Sequence, residues 1–347
     1  MSLSVHIQKK LGKFTLDVHF DSDRTPLALL GASGCGKSVT LRCIAGILTP
    51  DEGRIVLDGR TLFDSAAGIS LPPQKRQVGY LFQNYALFPH MTVRQNIAAA
   101  ISEKQLRASK TTELLHRFRL EDVANLKPAQ LSGGQQQRCA LARILASDPT
   151  AILLDEPFSA LDSYLKNQLE LELADTLSAF SGSVVWVSHD RGEVFRNCRQ
   201  VCVLDQGKST GLYTLRELFH APVTEAAARL SGCENFAAAI PAPQGVTLPQ
   251  WSLTLVCQKE LPPDLRCIGI RARHVIPAMP SSENQVRCAV LRVVQDVFHT
   301  IVLLRPEHAA HNAPPLRMEL AREDWQALAN PSHLTVSIPS RDILLLQ

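Results

Sequence analysis

The segment Gly31-Ala32-Ser33-Gly34-Cys35-Gly36-Lys37-Ser38 limits the folds open to this chain more than any other stretch. It follows the apolar run 26–30 and precedes residues 39–48, which read as helix. The spacing G-x-x-x-x-G-K-[ST] is that of a phosphate cradle. Glycines let backbone N–H groups turn inward, the lysine reaches the β- and γ-phosphates of a nucleotide, and the hydroxyl ligates magnesium. The helix that starts there adds its dipole and its unpaired N–H groups. A strand, this loop and a helix in that order require an α/β core.

The bulk properties narrow the class. A length of 347 residues accommodates two domains, and 45% hydrophobic with 20% charged residues is a globular composition. Thirty-six basic against 33 acidic residues leave a net charge of +3, too small for a nucleic-acid footprint. No apolar run approaches the roughly 20 residues of a membrane helix. Residues 1–16 alternate polar and apolar side chains without a signal-peptide core, so the chain is expected to stay in the cytoplasm. The nine cysteines are scattered and odd in number, which suits free thiols in a reducing compartment. Cys198 and Cys202 are the closest pair, and without a second pair or a nearby histidine they do not read as a zinc site. Cys35 differs from the rest in lying inside the cradle.

Along the chain, residues 3–20 alternate as two antiparallel strands with Gly12-Lys13 as their turn. Residues 54–59 and 78–82 read as further strands, the second ending at Gln83. Residues 93–101, 104–119 and 134–146 are helical in pattern, a block with little strand character. The run 151–154 is wholly apolar and ends in Asp155-Glu156-Pro157, the pattern of a strand buried on both faces of a parallel sheet. The carboxyl end of such a strand is where ligand sites lie. A helix over 163–180 and a strand over 183–187 lead to Ser188-His189-Asp190. Beyond about residue 230 the runs 251–256, 267–271, 286–294, 300–304 and 334–338 are β-like. In the last, alternation predicts Leu334, Val336 and Ile338 buried and Thr335 and Ser337 wet.

Five elements therefore stand in order: the cradle, Gln83, Leu131-Ser132-Gly133-Gly134-Gln135, Asp155-Glu156 and His189. Their conjunction is far more specific than any one alone. In it the chain resembles the ATPase subunits of ABC transporters over essentially its whole length. Residues 131–135 are similar to that family's signature, residues 159–162, ending at Asp162, to its D-loop, and His189 to its switch histidine. The fold class implied is an α/β P-loop NTPase, an ABC ATPase core with an antiparallel β-subdomain and a helical subdomain, followed by a C-terminal all-β, OB-like barrel. The domains expected are an ATPase domain over 1–230, its helical subdomain about 86–150, and a β-domain over 231–347 of the oxyanion-binding, regulatory type.

The resemblance implies ATP and Mg2+ as cofactors and gives each position a role. Gly31, Ala32, Ser33, Gly34, Cys35, Gly36, Lys37 and Ser38 hold the phosphates; Ser38, Gln83 and Asp155 serve the metal, Asp155 through water. Glu156, which strand alternation points away from Asp155, polarises the attacking water, and His189 fixes the water and the γ-phosphate in line. Gln83 also senses the membrane subunit. Ser132, Gly133, Gly134 and Gln135 form a second anion-binding helix N-terminus that closes over the nucleotide of another copy, giving an ATP-sandwich homodimer. Leu11 takes the place of the family's usual adenine-stacking aromatic residue. Phe14 is the nearest substitute, and a core position in the small sheet is equally open to it.

Residues 71–76 and 85–93 are similar to bacterial importers of the sulfate, molybdate, polyamine and sugar group, and residues 62–69 and 267–304 to molybdate importers. The implied activity is ATP hydrolysis driving import, with molybdate first and sulfate, tungstate or another solute as alternatives. A regulatory oxyanion sensor built on an ATPase core is the reading from another class. Implied partners are membrane permease subunits and an extracytoplasmic solute-binding protein, with an oxyanion at the C-terminal domain and no nucleic acid. The place implied is the cytoplasmic face of the membrane.

Overall fold

The computed structural model describes residues 3–159 and 163–347, and the side chains of all of these but 163–165. The chain forms two compact units, Met1–Leu215 and Arg216–Gln347.

The first unit is built on one eleven-stranded sheet. Strands β1 (Leu3–Leu11), β2 (Phe14–Ser22), β3 (Leu27–Leu30), β4 (Glu52–Leu57), β5 (Arg60–Asp64) and β6 (Ile69–Ser70) come first. They are followed by β7 (Val78–Leu81), β8 (Ala151–Asp155), β9 (Ser183–Val187), β10 (Gln200–Asp205) and β11 (Lys208–Thr214). The order across the sheet is β6-β5-β4-β1-β2-β11-β10-β3-β9-β8-β7. Its β10-β3-β9-β8-β7 section is parallel, and the β6-to-β2 section is antiparallel. Every residue of β3, β8 and β9 is buried, as an all-apolar run between two helical layers must be.

Helix α1 (Lys37–Ala45) opens on Gly36 at φ 106° and closes on Gly46 at φ 80°, so it starts two residues earlier than periodicity predicted. Gly46 has a second reason to be glycine. A Cβ there would meet Arg76 Nε at 2.5 Å. Arg76, 1% exposed at the end of the short α2 (Pro73–Arg76), donates from Nη1 to the Cys43 and Ile44 carbonyls at 2.8 and 2.9 Å and so caps α1.

Between β7 and β8 the described elements are all helical: α3 (Val93–Ala99), α4 (Arg107–Arg117), one 3-10 turn and α5 (Gly133–Ala146). Thr92 and Gln95 form a capping box on α3, and Ser132 and Gln135 form one on α5. Arg143 of α5 donates to the Tyr85 and Ala86 carbonyls, tying that helix to the loop after Gln83. Helices α6 (Ser163–Ser178) and α7 (Arg191–Asn197) follow β8 and β9.

The second unit is antiparallel throughout, apart from three short helices and two 3-10 turns. Its largest sheet joins Ile276–Pro277, His333–Ser337, Gln285–Gln295, His299–Pro306 and Leu316–Ala321. It encloses a core around Trp251, Trp325, Met318 and Val336. This nearly closed antiparallel sheet fits the OB-like barrel expected. The alternation over 334–338 holds at Val336 and Ile338, but Leu334 and Thr335 are both half-buried. Ser337 is 2% exposed, because its hydroxyl donates to the Glu283 carbonyl at 2.7 Å and needs no water. Among the described residues no helix is long and apolar enough to cross a membrane.

Candidate functional site

The cradle leaves the carboxyl end of β3, and β3 lies beside β9, which lies beside β8. Asp155 of β8 pairs with Val187 of β9, so Asp155-Glu156 and Ser188-His189 emerge from the same end as the cradle. This is the end of a parallel sheet at which strand-to-helix turns can converge on a ligand.

Within the cradle, a Cβ on Gly31 would lie 2.3 Å from the Leu204 carbonyl oxygen. No larger residue lets the loop pass that strand. Lys37, 7% exposed, donates from Nζ to the Gly31 and Ala32 carbonyls at 2.7 and 2.9 Å. Its ammonium therefore points back along the inside of its own loop. Cys35 is 5% exposed with Sγ 3.9 Å from that ammonium. Burial raises the Cys35 thiol above its ordinary value, with the Lys37 charge opposing.

Ser38 Oγ donates to Asp155 Oδ1 at 2.8 Å, and the Tyr80 hydroxyl donates to Asp155 Oδ2 at 2.8 Å. Desolvation raises the Tyr80 phenol, with the Asp155 charge adding to it, so Tyr80 is a fixed donor. Tyr80 escaped the sequence reading; a tyrosine in an apolar strand gives no sign of a partner 75 positions away. The donor set of one hydroxyl and one carboxylate is the hard-oxygen chemistry that magnesium selects.

Glu156 sits beyond the end of β8 at φ 48°, in the left-handed region. Strand alternation is therefore not what separates its side chain from that of Asp155. The reversal of the backbone does so, held by the Glu156 N–H donating to the Val187 carbonyl at 2.9 Å. Glu156 Oε2 lies 3.4 Å from His189 Nδ1, and the histidine side chain is 68% exposed. The His189 turn is braced on both sides. Ser188 donates to Glu193 at 2.6 Å and accepts from the Asp190 N–H, while Asp190 caps α7 and accepts from Lys166 at 2.5 Å.

Ser132, Gly133, Gly134 and Gln135 form the first turn of α5 with the Ser132 side chain exposed. The Ser132 hydroxyl accepts from the Gln135 N–H, which leaves its own proton to donate. Among the described residues, no hydrogen bond links this turn or Gln83 to the cradle, Asp155, Glu156 or His189. Gln83 is exposed in a turn after β7. Phe14 is half-buried with its ring against Gly36 and Gly207, where a Cβ on either would come within 3.2 Å of it. It thus borders the cradle and also packs on the core of the small sheet. Asp162 lies outside the described residues.

The family model described as ABC transporter matches residues 16–159, from β2 through the turn after Glu156. The chain carries an ABC transporter ATPase domain. Over 212 residues, 60% of this chain, it is 42% identical to the putrescine transport ATP-binding protein PotG of Escherichia coli strain K12, covering 55% of that protein. Over 224 residues, 63% of this chain, it is 38% identical to the molybdenum import ATP-binding protein ModC of Paramagnetospirillum magneticum, covering 61% of it. The chain thus matches a little over half the length of these curated relatives. The ATP-binding cassette MJ0796, solved as a dimer in a post-hydrolysis state bound to ADP and Pi, superposes with a TM-score of 0.53 at 29% identity. The match covers 62% of this chain and 99% of that one. In the ABC domain, cradle, Asp155-Glu156 and His189 thus stand at one sheet end, and the Ser132 turn stands on the helical block.

Proposed function

We propose that this chain is the ATP-hydrolysing subunit of an ABC importer, working as a pair of copies. The observation that carries the reading is the convergence of Lys37, Ser38, Asp155, Glu156 and His189 at one end of the parallel sheet. In this reading the cradle N–H groups and the Lys37 ammonium bind the β- and γ-phosphates. Ser38, Asp155 and Gln83 would hold Mg2+, which when bound neutralises charge on those phosphates. Glu156 orients the attacking water and accepts its proton as the oxygen adds to the γ-phosphorus and the bond to ADP breaks. His189, beside Glu156, keeps water and phosphate in line. Phe14, at the rim of the cradle, stacks on adenine.

Ser132 to Gln135 complete the site across a two-fold axis, on the phosphates bound by the other copy. The dimeric form of the MJ0796 cassette supports this arrangement. ATP then favours the closed pair, and hydrolysis removes that preference. Asp162, through its D-loop likeness, is assigned to nucleotide binding. The functional division we propose is an ATPase domain over 1–230, with its helical subdomain about 86–150, and a regulatory β-domain over 231–347 that takes an oxyanion. Permease subunits would hold the pair at the cytoplasmic face of the membrane, with an extracytoplasmic binding protein delivering solute. The paired Glu156 and His189 favour turnover over a purely sensory role.

Molybdate is the solute we assign, supported by the likeness of residues 62–69 and 267–304 to molybdate importers and by the ModC relative. The PotG relative favours a second reading, a polyamine. Uptake of labelled molybdate, sulfate and putrescine by cells with and without this subunit separates them. Loss of molybdate uptake alone is expected; loss of putrescine uptake alone would transfer the assignment to the polyamine, and no change in any would overturn the importer reading.

A further inference from the structure

We propose that the first unit holds a second small-molecule site, between α4, α5 and α6, for an aromatic carboxylate that carries a ring N–H. A cavity of about 250 Å³ lies there. An engineered cavity of about 150 Å³ holds benzene, so this one has room for a bicyclic ring with a short acid arm. Its floor is apolar: Phe118, Leu141, Leu169 and Leu173 are each at most 6% exposed.

One wall is a polar group with nothing to bind. Gln137 is 1% exposed, and neither its Nε2 nor its Oε1 has a hydrogen-bond partner. A buried amide left so destabilises the fold unless a ligand makes its bonds. Arg138, the next residue, has a buried Nε without a partner, and its Nη1 is 3.7 Å from Glu172 Oε2, a loose ion pair. Arg117 and Arg119 are exposed at the lip. Three guanidinium groups therefore line the cavity against the two carboxylates of Glu172 and Asp175.

These features define the ligand. The ring lies on the apolar floor, and its N–H donates to Gln137 Oε1. Its carboxylate accepts from Gln137 Nε2 and from the Arg138 Nε edge, which meets a planar anion in fork geometry. An occupant would brace α5, whose first turn carries Ser132, against α6. The inference is independent of the nucleotide reading, because no lining residue belongs to the cradle.

The test is calorimetric titration of the full chain with indole-3-acetate, with and without ADP. The expected result is saturable binding of one molecule per chain with Kd of about 1 mM or tighter, unchanged by ADP. Indole, which lacks the acid, should bind at least about tenfold more weakly. Gln137→Leu should lose at least about tenfold in affinity and raise the Tm, since it removes a partnerless amide. Thr176→Trp, which places a bulky ring at the half-buried lip on α6, should lose binding by a similar factor. The proposal is overturned by no saturable binding up to about 10 mM, by competition with ADP, or by unchanged affinity in Thr176→Trp.

Discussion

Ser38 and Asp155, 117 positions apart in the chain, meet through a hydrogen bond of 2.8 Å from hydroxyl to carboxylate. Tyr80 holds the other carboxylate oxygen at the same distance. The carboxylate is thereby fixed by two donors before any metal arrives, and an outer partner of this kind is worth about 10–100-fold in metal affinity. Tyr80→Phe is therefore expected to raise the Mg2+ concentration for half-maximal ATP hydrolysis by about that factor, with the fold intact. A Mg2+ titration of the variant checks it; a curve that does not move would remove Tyr80 from the site.

Cys35 gives a second prediction. Its thiol is buried against Gly31, and burial raises it above the ordinary value of 9.0, although the Lys37 charge pulls the other way. Little thiolate exists near neutrality, so N-ethylmaleimide should react slowly at pH 7 and faster with each step toward alkaline pH. The modified chain should no longer bind ATP, and bound ATP should slow the reaction. Complete alkylation with ATP binding retained would show that the thiol does not face the phosphates.

Arg76 concerns stability alone. Arg76→Ala strips the cap from α1 and leaves the Cys43 and Ile44 carbonyls buried without their donor. A loss of about 3 kcal/mol is expected in urea unfolding. Arg76→Lys should recover only part of it, because an ammonium cannot fork between two carbonyls while also serving Leu71, as Arg76 Nε does at 2.7 Å. An unchanged midpoint in Arg76→Ala would contradict the cap.

Much of this was legible before the fold was known. The all-apolar run before Asp155 could only be a doubly buried strand, and the helix over 134–146 was legible from its pattern, although the Ser132–Gln135 capping box that starts it was not read. Three failures share one cause, a partner distant in sequence. Tyr80 reads as one more strand apolar until its hydroxyl finds Asp155. Ser337 reads as wet until the Glu283 carbonyl satisfies it. Glu156 was read as separated from Asp155 by strand alternation, whereas its left-handed backbone, held by the neighbouring strand at Val187, separates them. Arg60–Asp64 and Leu316–Ala321 were not read as strands, because such short segments show alternation too weakly to be separated from loop.

Asp190 ties the His189 turn to pH. Burial works to raise its carboxyl, but the Lys166 ammonium and the Gly192 and Glu193 N–H groups outweigh it, so the group lies below the ordinary 3.8. A carboxyl lowered on folding adds stability that is present above its unfolded value and lost as pH falls through the folded one. Acid unfolding below about pH 4 should therefore be shallower in Asp190→Asn, which keeps the α7 cap and cannot titrate. Identical acid slopes in the two proteins would show that Asp190 takes no part.

The central claim, that Glu156 takes the proton of the attacking water in a site closed by a second copy, is tested most directly with Glu156→Gln. The variant keeps the shape of the side chain and loses the base. ATP turnover should fall by about a thousandfold, while ATP stays bound and the protein elutes as a dimer that wild type forms only transiently. Turnover near the wild-type rate, or a variant that stays monomeric with ATP bound, would contradict the account.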